Sequence, residues 1–263
     1  MSIPVKEYAA RVAELYQKQA ALGDSGYLKA HSATRGSIRR QVEAAALYLP
    51  HVKGRVLDWG CMHAVDSCLV RMHLGDDIEI HGCDLFDDGV FAAFHQFARL
   101  QYKQTQPGHV LPYPDNYFGT IIADGVIEHV PDDRDSLKEL YRVLQPNGTL
   151  IISCLPNRLS YLECLARMLG LPHHIRTYSM SFMSSMLLHS GFEIMTRRYL
   201  QMMPTLSGTA SRFSRSWLRS LSSALWSMNG LMESIWPINR FSSNLMLMAQ
   251  KRLAMTWTPR LAA

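Results

Sequence analysis

Four short apolar runs, RVLDWG at 55–60, IEIHGCD at 78–84, FGTIIAD at 118–124 and GTLIISC at 148–154, alternate with helix-patterned segments at 66–74, 87–101 and 133–144. Continuous apolar runs of this length read as strands buried on both faces, and strand, helix, strand repetition requires parallel pairing with helices covering one sheet on both sides. In the third helical segment Leu137, Leu140, Tyr141 and Leu144 share a face, and PNG at 146–148 reads as the turn that closes it. Helical segments at about 157–169 and 179–190 follow, then strand patterns GFEIMTRRYL at 191–200 and NLMLMAQKR at 244–252. About forty residues join these last two strands, too many for a structureless connection. Ahead of the sheet, Tyr8, Val12, Leu15 and Tyr16 mark a helix over 4–21, and a second helical stretch at 35–49 stops at Pro50.

With 48% hydrophobic and 19% charged residues in 263, the chain has the composition of one globular α/β domain with an elaboration. It shows no apolar run of signal-peptide or membrane-span length. Cys61, Cys68, Cys83, Cys154 and Cys164 are spread out and form no zinc-type spacing, so a cytoplasmic protein without a metal centre is expected. The net charge of +5 is concentrated at the C-terminal end, where Arg212, Arg215, Arg219, Arg240, Lys251, Arg252 and Arg260 face only Glu233. These cations are few and accompany no nucleic-acid motif, so nucleic acid is not the expected partner.

Within the long connection, residues 211–236 place Phe213, Trp217, Leu221, Leu225, Met228, Met232 and Ile235 at three- and four-residue steps, with arginines and serines elsewhere. An amphipathic helix of that kind suits contact with an anionic membrane, a cover over an apolar acceptor pocket, packing on the sheet, or a homodimer interface.

The first strand runs into the turn 58–64, DWGCMHA, and the second ends on Asp84, 24 residues after Gly60. A glycine turn leading to a helix N-terminus offers backbone N–H groups to a ligand, and a carboxylate at the second strand's tip can accept ribose hydroxyls. The segments VLDWGC, HGCDL, LPYPDNYFGTIIADGVIEHVPD and LKELYRVLQPNGTLIIS together resemble the class I S-adenosylmethionine-dependent methyltransferases, in particular the small-molecule branch that includes quinone-biosynthesis enzymes. The resemblance covers roughly 54–200.

It implies a Rossmann-like, doubly wound α/β fold: a seven-stranded, mostly parallel sheet with an antiparallel last strand, N-terminal helices and a helical insertion between the last two strands. The matching division is an N-terminal helical lid at 1–50, a cofactor core at 51–200, the amphipathic insertion at 201–243, and the last strand with its tail at 244–263. S-Adenosyl-L-methionine would be held by Asp58, Gly60, Cys61, Met62 and His63, by Asp84 and Leu85, and by Ala123, Asp124 and Gly125. His129 is the candidate general base, while His31, Arg35, His173, His174 and Tyr178 are candidate acceptor contacts. The expected activity is methyl transfer, chiefly to oxygen, on a hydrophobic small-molecule or lipid-linked acceptor. Met62 and Ala64 occupy positions where the family carries glycine, Pro107 falls where an adenine-binding acid is common, and Phe118-Gly119 replaces a frequent Phe-Asp. These departures support an alternative: the same fold with a degenerate loop, performing another reaction such as cyclisation or acting as a non-catalytic partner. A nicotinamide-dependent enzyme is disfavoured because GxGxxG is missing.

Overall fold

Alternate residues of the central strands feed two opposite cores, which is why their apolar runs are continuous rather than alternating. Val56, Ile80, Ile122 and Ile151 join one core and Leu57, Ile121 and Leu150 the other. The computed structural model describes residues 3–23, 35–106, 108, 110–171, 173–202 and 228–252. Its strands are β1 (Val56–Trp59), β2 (Ile80–Asp84), β3 (Gln101–Gln104), β4 (Phe118–Asp124), β5 (Leu144–Pro156), β6 (Phe192–Leu200) and β7 (Asn244–Lys251). They form one seven-stranded sheet in the order β3-β2-β1-β4-β5-β7-β6, with β7 antiparallel to both of its neighbours and the other pairs parallel. This is the Rossmann-like sheet expected from the sequence.

Helices α1 (Val5–Ala21), α2 (Arg35–Tyr48), α3 (Val65–Leu74) and α4 (Ala92–Ala98) cover the first face. Helices α5 (Asp133–Val143) and α7 (Met180–His189) cover the second, while α6 (Tyr161–Met168) and α8 (Asn229–Ser234) follow the outgoing ends of β5 and β6. Val12, Leu15, Val42 and Tyr48 are buried with the first core, so α1 and α2 are packed parts of the domain.

Three expectations need correction. The helix expected over 87–101 is a short 3-10 turn, Asp88–Phe91, followed by α4, and Arg99 turns with φ +49° into β3. β3 itself was not legible, because Gln101–Gln104 is a polar edge strand with no apolar alternation. The PNG at 146–148 does not cap a helix: α5 stops at Val143 and the tripeptide lies inside the span of β5, at a register shift with Asn147 at φ +61°. Gly119 has a local cause, since a Cβ there would stand 2.6 Å from the carbonyl oxygen of Lys53. Of the amphipathic segment 211–236, residues 211–227 lie outside the described residues, and the rest contains only the six-residue α8.

Candidate active site

β1 pairs with β2 and β4 so that Asp58 stands beside Gly82 on one side and Ile122 on the other. The outgoing ends of these strands therefore bring Asp58, Asp84 and Asp124 to one edge of the sheet, where the chain order reverses and ligands bind in such folds. Gly60 turns with φ +68°, and its N–H donates to the carbonyl of Cys83 at 2.8 Å. A Cβ at Gly60 would lie 2.7 Å from both methyl carbons of Val126, so only glycine fits.

Met62 and Ala64 also sit in the left-handed region, at φ +43° and +56°. The backbone has the shape glycines would give it although the side chains are not glycine, at a cost of about 1–2 kcal/mol for each residue. Hydrogen bonds hold that shape: Met62 N–H donates to Asp84 Oδ2 at 2.8 Å, and His95 Nε2 donates to the Met62 carbonyl at 2.9 Å. The Met62 side chain packs against the first core. His63 is clamped from α1, with Nε2 2.9 Å from the Tyr16 hydroxyl and its ring edge-on to Phe94.

Asp58 accepts from the N–H and hydroxyl of Ser67 at 3.1 and 2.6 Å, fixing the first turn of α3. Beside it lie two more carboxylates, Asp66 buried and Asp124 half-buried at the wall of a cavity. Asp66 accepts from the Tyr48 hydroxyl and a Gln41 side chain, and Asp124 from Cys154 and Ser153. Burial pushes Asp58 up to about 6, and the neighbouring Asp124 adds to this against the Ser67 hydrogen bonds. Asp66 is raised well above the carboxylate range and Asp124 is raised, burial again being the main cause. Asp124 adds to the rise at Asp58, and both add to the rise at Asp66, so a cation placed among the three would favour their ionised forms.

This donor set fits S-adenosylmethionine, which carries a sulfonium, an ammonium and a ribose. Asp84 holds the loop and keeps acceptor capacity for ribose hydroxyls, while Leu85 and Phe86, 54% and 48% exposed, offer apolar surface to a base. Cys61 is buried, and burial together with Asp58 raises its thiol well above the usual range, which removes it as a nucleophile. Ala123 is buried in the second core, and Gly125, at φ +65°, donates its N–H to the Ser153 carbonyl at 3.0 Å.

A cavity of about 520 Å³ adjoins Asp124. Its wall comes from α2 (Arg39, Arg40, Gln41, Glu43), from the tips of β5 and β6 (Cys154, Leu200), from α8 (Asn229, Glu233) and from Asn244. Charged and amide side chains share this wall with apolar surface from Ala44, Leu47 and Leu200. Glu233 accepts from the Gln201 N–H and the Asn229 amide, and burial raises its carboxyl. Asn244 donates to Gln201 Oε1 at 2.7 Å, and burial lowers the Arg40 guanidinium.

His129 is largely exposed, with Nε2 3.9 Å from Glu128 Oε1. Glu128 is the more unusual group: its side chain is 4% exposed, Oε2 has no hydrogen-bond partner among the described residues, and burial lifts its carboxyl to about 7. His129 is lowered by burial and by His174 and Arg176.

The candidate acceptor contacts do not gather at the cavity. Tyr178 is buried and donates to Asp133 Oδ2 at 3.0 Å and to the Ile127 carbonyl, so it braces the frame instead of facing an acceptor. His173 is exposed, and His174 pairs with Glu163 at 2.8 Å. His31, the side chain of Arg35 and Pro107 lie outside the described residues. Sequence reading missed Tyr16, Arg40, Tyr48, Asp66, Glu128 and Glu233 as site residues. The single local signal was Asp66, an acid in an otherwise apolar helical turn, VDSCLV.

Comparison with known proteins bears on this geometry. Residues 57–152 match the family model described as a methyltransferase domain. A protein of Mycolicibacterium smegmatis named as a probable S-adenosylmethionine-dependent methyltransferase is 32% identical over 143 residues, 53% of this chain and 52% of its own. A demethylmenaquinone methyltransferase of Bacillus mycoides is 29% identical over 101 residues, 37% of this chain and 43% of its own. The chain thus spans about half the length of the curated relatives it matches. Among solved structures, the 4+2 cyclase SpnF superposes with a TM-score of 0.55 at 17% identity over 83% of each chain, a likeness of fold.

Proposed function

We propose that this chain, whose residues 57–152 match a methyltransferase domain, transfers a methyl group from S-adenosylmethionine to an oxygen of a hydrophobic small-molecule or lipid-linked acceptor. The observation that carries the reading is the junction at Asp124, where the carboxylate cluster meets the cavity. When bound, S-adenosylmethionine supplies a sulfonium methyl carbon open to in-line displacement. Asp84 would hold the ribose, Leu85 and Phe86 the base, and the carboxylates at 58, 66 and 124 the cationic end. Such a reaction draws mainly on proximity and alignment, with proton removal where the acceptor is a hydroxyl.

The lining mixes charged and amide groups with apolar surface, which suits an acceptor whose reacting oxygen is carried on a hydrophobic frame. Contact of 211–236 with an anionic membrane belongs to the same proposal. Glu128, raised to about 7, is better poised than the exposed His129 to take the acceptor's proton near neutral pH, with His129 passing it to solvent.

The test is incubation with methyl-labelled S-adenosylmethionine and an extract containing both polar metabolites and membrane lipids. Label should enter the lipid-soluble fraction, base-stable as an ether, at a rate that rises as pH passes about 7. A protein that binds the cofactor and labels nothing would favour the alternative of a different reaction on this fold.

A further inference from the structure

Helix α6 has an amphipathic sequence, yet none of its residues is buried. From Leu159 to Ile175 the apolar side chains point outward: Met168 is 78% exposed, Leu169 62%, Leu171 52% and Ile175 fully exposed. A second outward group, led by Trp236 at 75% and Leu231 at 61%, comes from the connection between β6 and β7. Hydrogen bonds join the two stretches at their bases. The Asn157 amide donates to the carbonyls of Arg240 and Ser242 at 2.8 and 2.7 Å, and the Tyr161 hydroxyl donates to the Met202 carbonyl at 2.8 Å.

The charge around this edge is net positive, four arginines against Glu163 and Glu233. Arg158, Arg167 and Arg240 are exposed, and among the described residues none of them pairs with a carboxylate. Arg176 donates to the carbonyls of Val130 and Pro131, which leaves its charge uncompensated. The acids nearby are engaged: Glu163 by His174, and Glu233 by Gln201 and Asn229.

We infer that this edge, α6 with the loop after it and the 228–241 connection, seats the protein on an anionic phospholipid surface, with the apolar side chains in the headgroup boundary and the arginines on the phosphates. Solvent-facing apolar groups ringed by arginine fit that partner chemically. A second copy fits worse, since a two-fold contact would set like charges against one another. The surface is distinct from residues 211–227 and does not depend on the methyl-transfer reading, so lipid binding and cofactor binding succeed or fail separately.

Flotation of the full chain with vesicles of phosphatidylcholine containing 30% phosphatidylglycerol tests the inference. The wild type should float with these vesicles, lose at least fivefold of the bound fraction on pure phosphatidylcholine, and lose as much again in high salt. The triple variant Met168→Asp, Leu169→Asp, Ile175→Asp alters only exposed positions; its binding should fall at least tenfold with thermal unfolding unchanged. Arg167→Gln with Arg240→Gln should lower binding several-fold. The inference is overturned if the wild type does not float, if the triple variant floats as well as the wild type, or if only Trp217→Ser with Trp226→Ser abolishes flotation. It is equally overturned if the triple variant converts a dimer to a monomer without changing flotation.

Discussion

At the tips of β1 and β2 the polar contacts are made largely by backbone over short distances: Gly60 and Cys61 to Cys83, Met62 to Asp84, Ser67 to Asp58. At the tips of β4, β5 and β6 they are made by side chains from separate segments, with about 520 Å³ of space between the walls. A site made of backbone tolerates change in side chains, as Met62 and Ala64 demonstrate by holding the left-handed conformation without glycine. A site made of side chains changes its chemistry with each substitution. The first half suits a ligand common to a whole family, and the second a ligand particular to this chain.

The comparison breaks most visibly at Asp84. Its two oxygens accept from Met62 and Leu85, so Asp84→Ala removes the loop's tether together with the carboxylate proposed to hold the ribose. S-Adenosylmethionine binding should weaken about 100-fold, roughly 3 kcal/mol, in calorimetric titration, charged hydrogen bonds being worth about 1.5–3 kcal/mol each. Asn229→Ala in the other half should leave that affinity unchanged and raise the KM for the acceptor. Equal loss of cofactor affinity in both variants would erase the division.

Glu128 gives the next largest effect. Its folded value of about 7 exceeds the ordinary 4.5, so between those pH values the folded chain keeps a proton that the unfolded chain has released. Stability on this account is greatest below about 4.5, declines as pH rises to about 7, and is level above it. Glu128→Gln should therefore stabilise the protein at pH 8, by roughly 2–3 kcal/mol in urea unfolding, and make little difference at pH 4. The same variant should lose most activity, a trade expected of a strained functional group and not of a structural one.

Ala64→Gly sharpens the first half of the comparison. Relief of the φ of +56° should outweigh the entropy of added glycine, for a gain of up to about 1 kcal/mol with cofactor affinity kept. Tyr178→Phe should cost a similar amount, about 1 kcal/mol, through its lost bond to Asp133, and leave kcat unchanged. A kcat effect there would return Tyr178 to the acceptor pocket.

The two halves also differed in how far they could be read from the sequence. The loop at 58–64 is contiguous, and a glycine turn between a buried strand and a helix has few possible geometries, so Asp58, Gly60 and Asp84 were placed at the correct strand ends. The cavity draws on α2, β4, β5, β6, α8 and β7, segments up to two hundred residues apart, and nothing local in Arg40, Gln41 or Glu233 marks them as neighbours. Asp66 could have been noticed, since every residue from Val65 to Arg71 is buried and a lone acid there needs partners such as Tyr48 and Gln41. The histidines at 173 and 174 were candidates by their place after the fifth strand, and the structure sets them on an exposed loop. β3 escaped because an edge strand needs hydrogen bonds but no apolar face.

The central claim is that a sulfonium nucleoside binds across the tips of β1 and β2 because buried carboxylates there await a cation. Calorimetric titration of the purified chain with S-adenosylmethionine and, separately, with neutral-sulfur S-adenosylhomocysteine at pH 5.5 and 7.5 tests it most directly. The account predicts saturable binding of both, with affinity for both rising as Asp58 ionises above its value of about 6, since both carry the ammonium, and rising more for the ligand that adds the sulfonium charge. No binding of either ligand at millimolar concentration, or affinities that do not rise with pH, would contradict it.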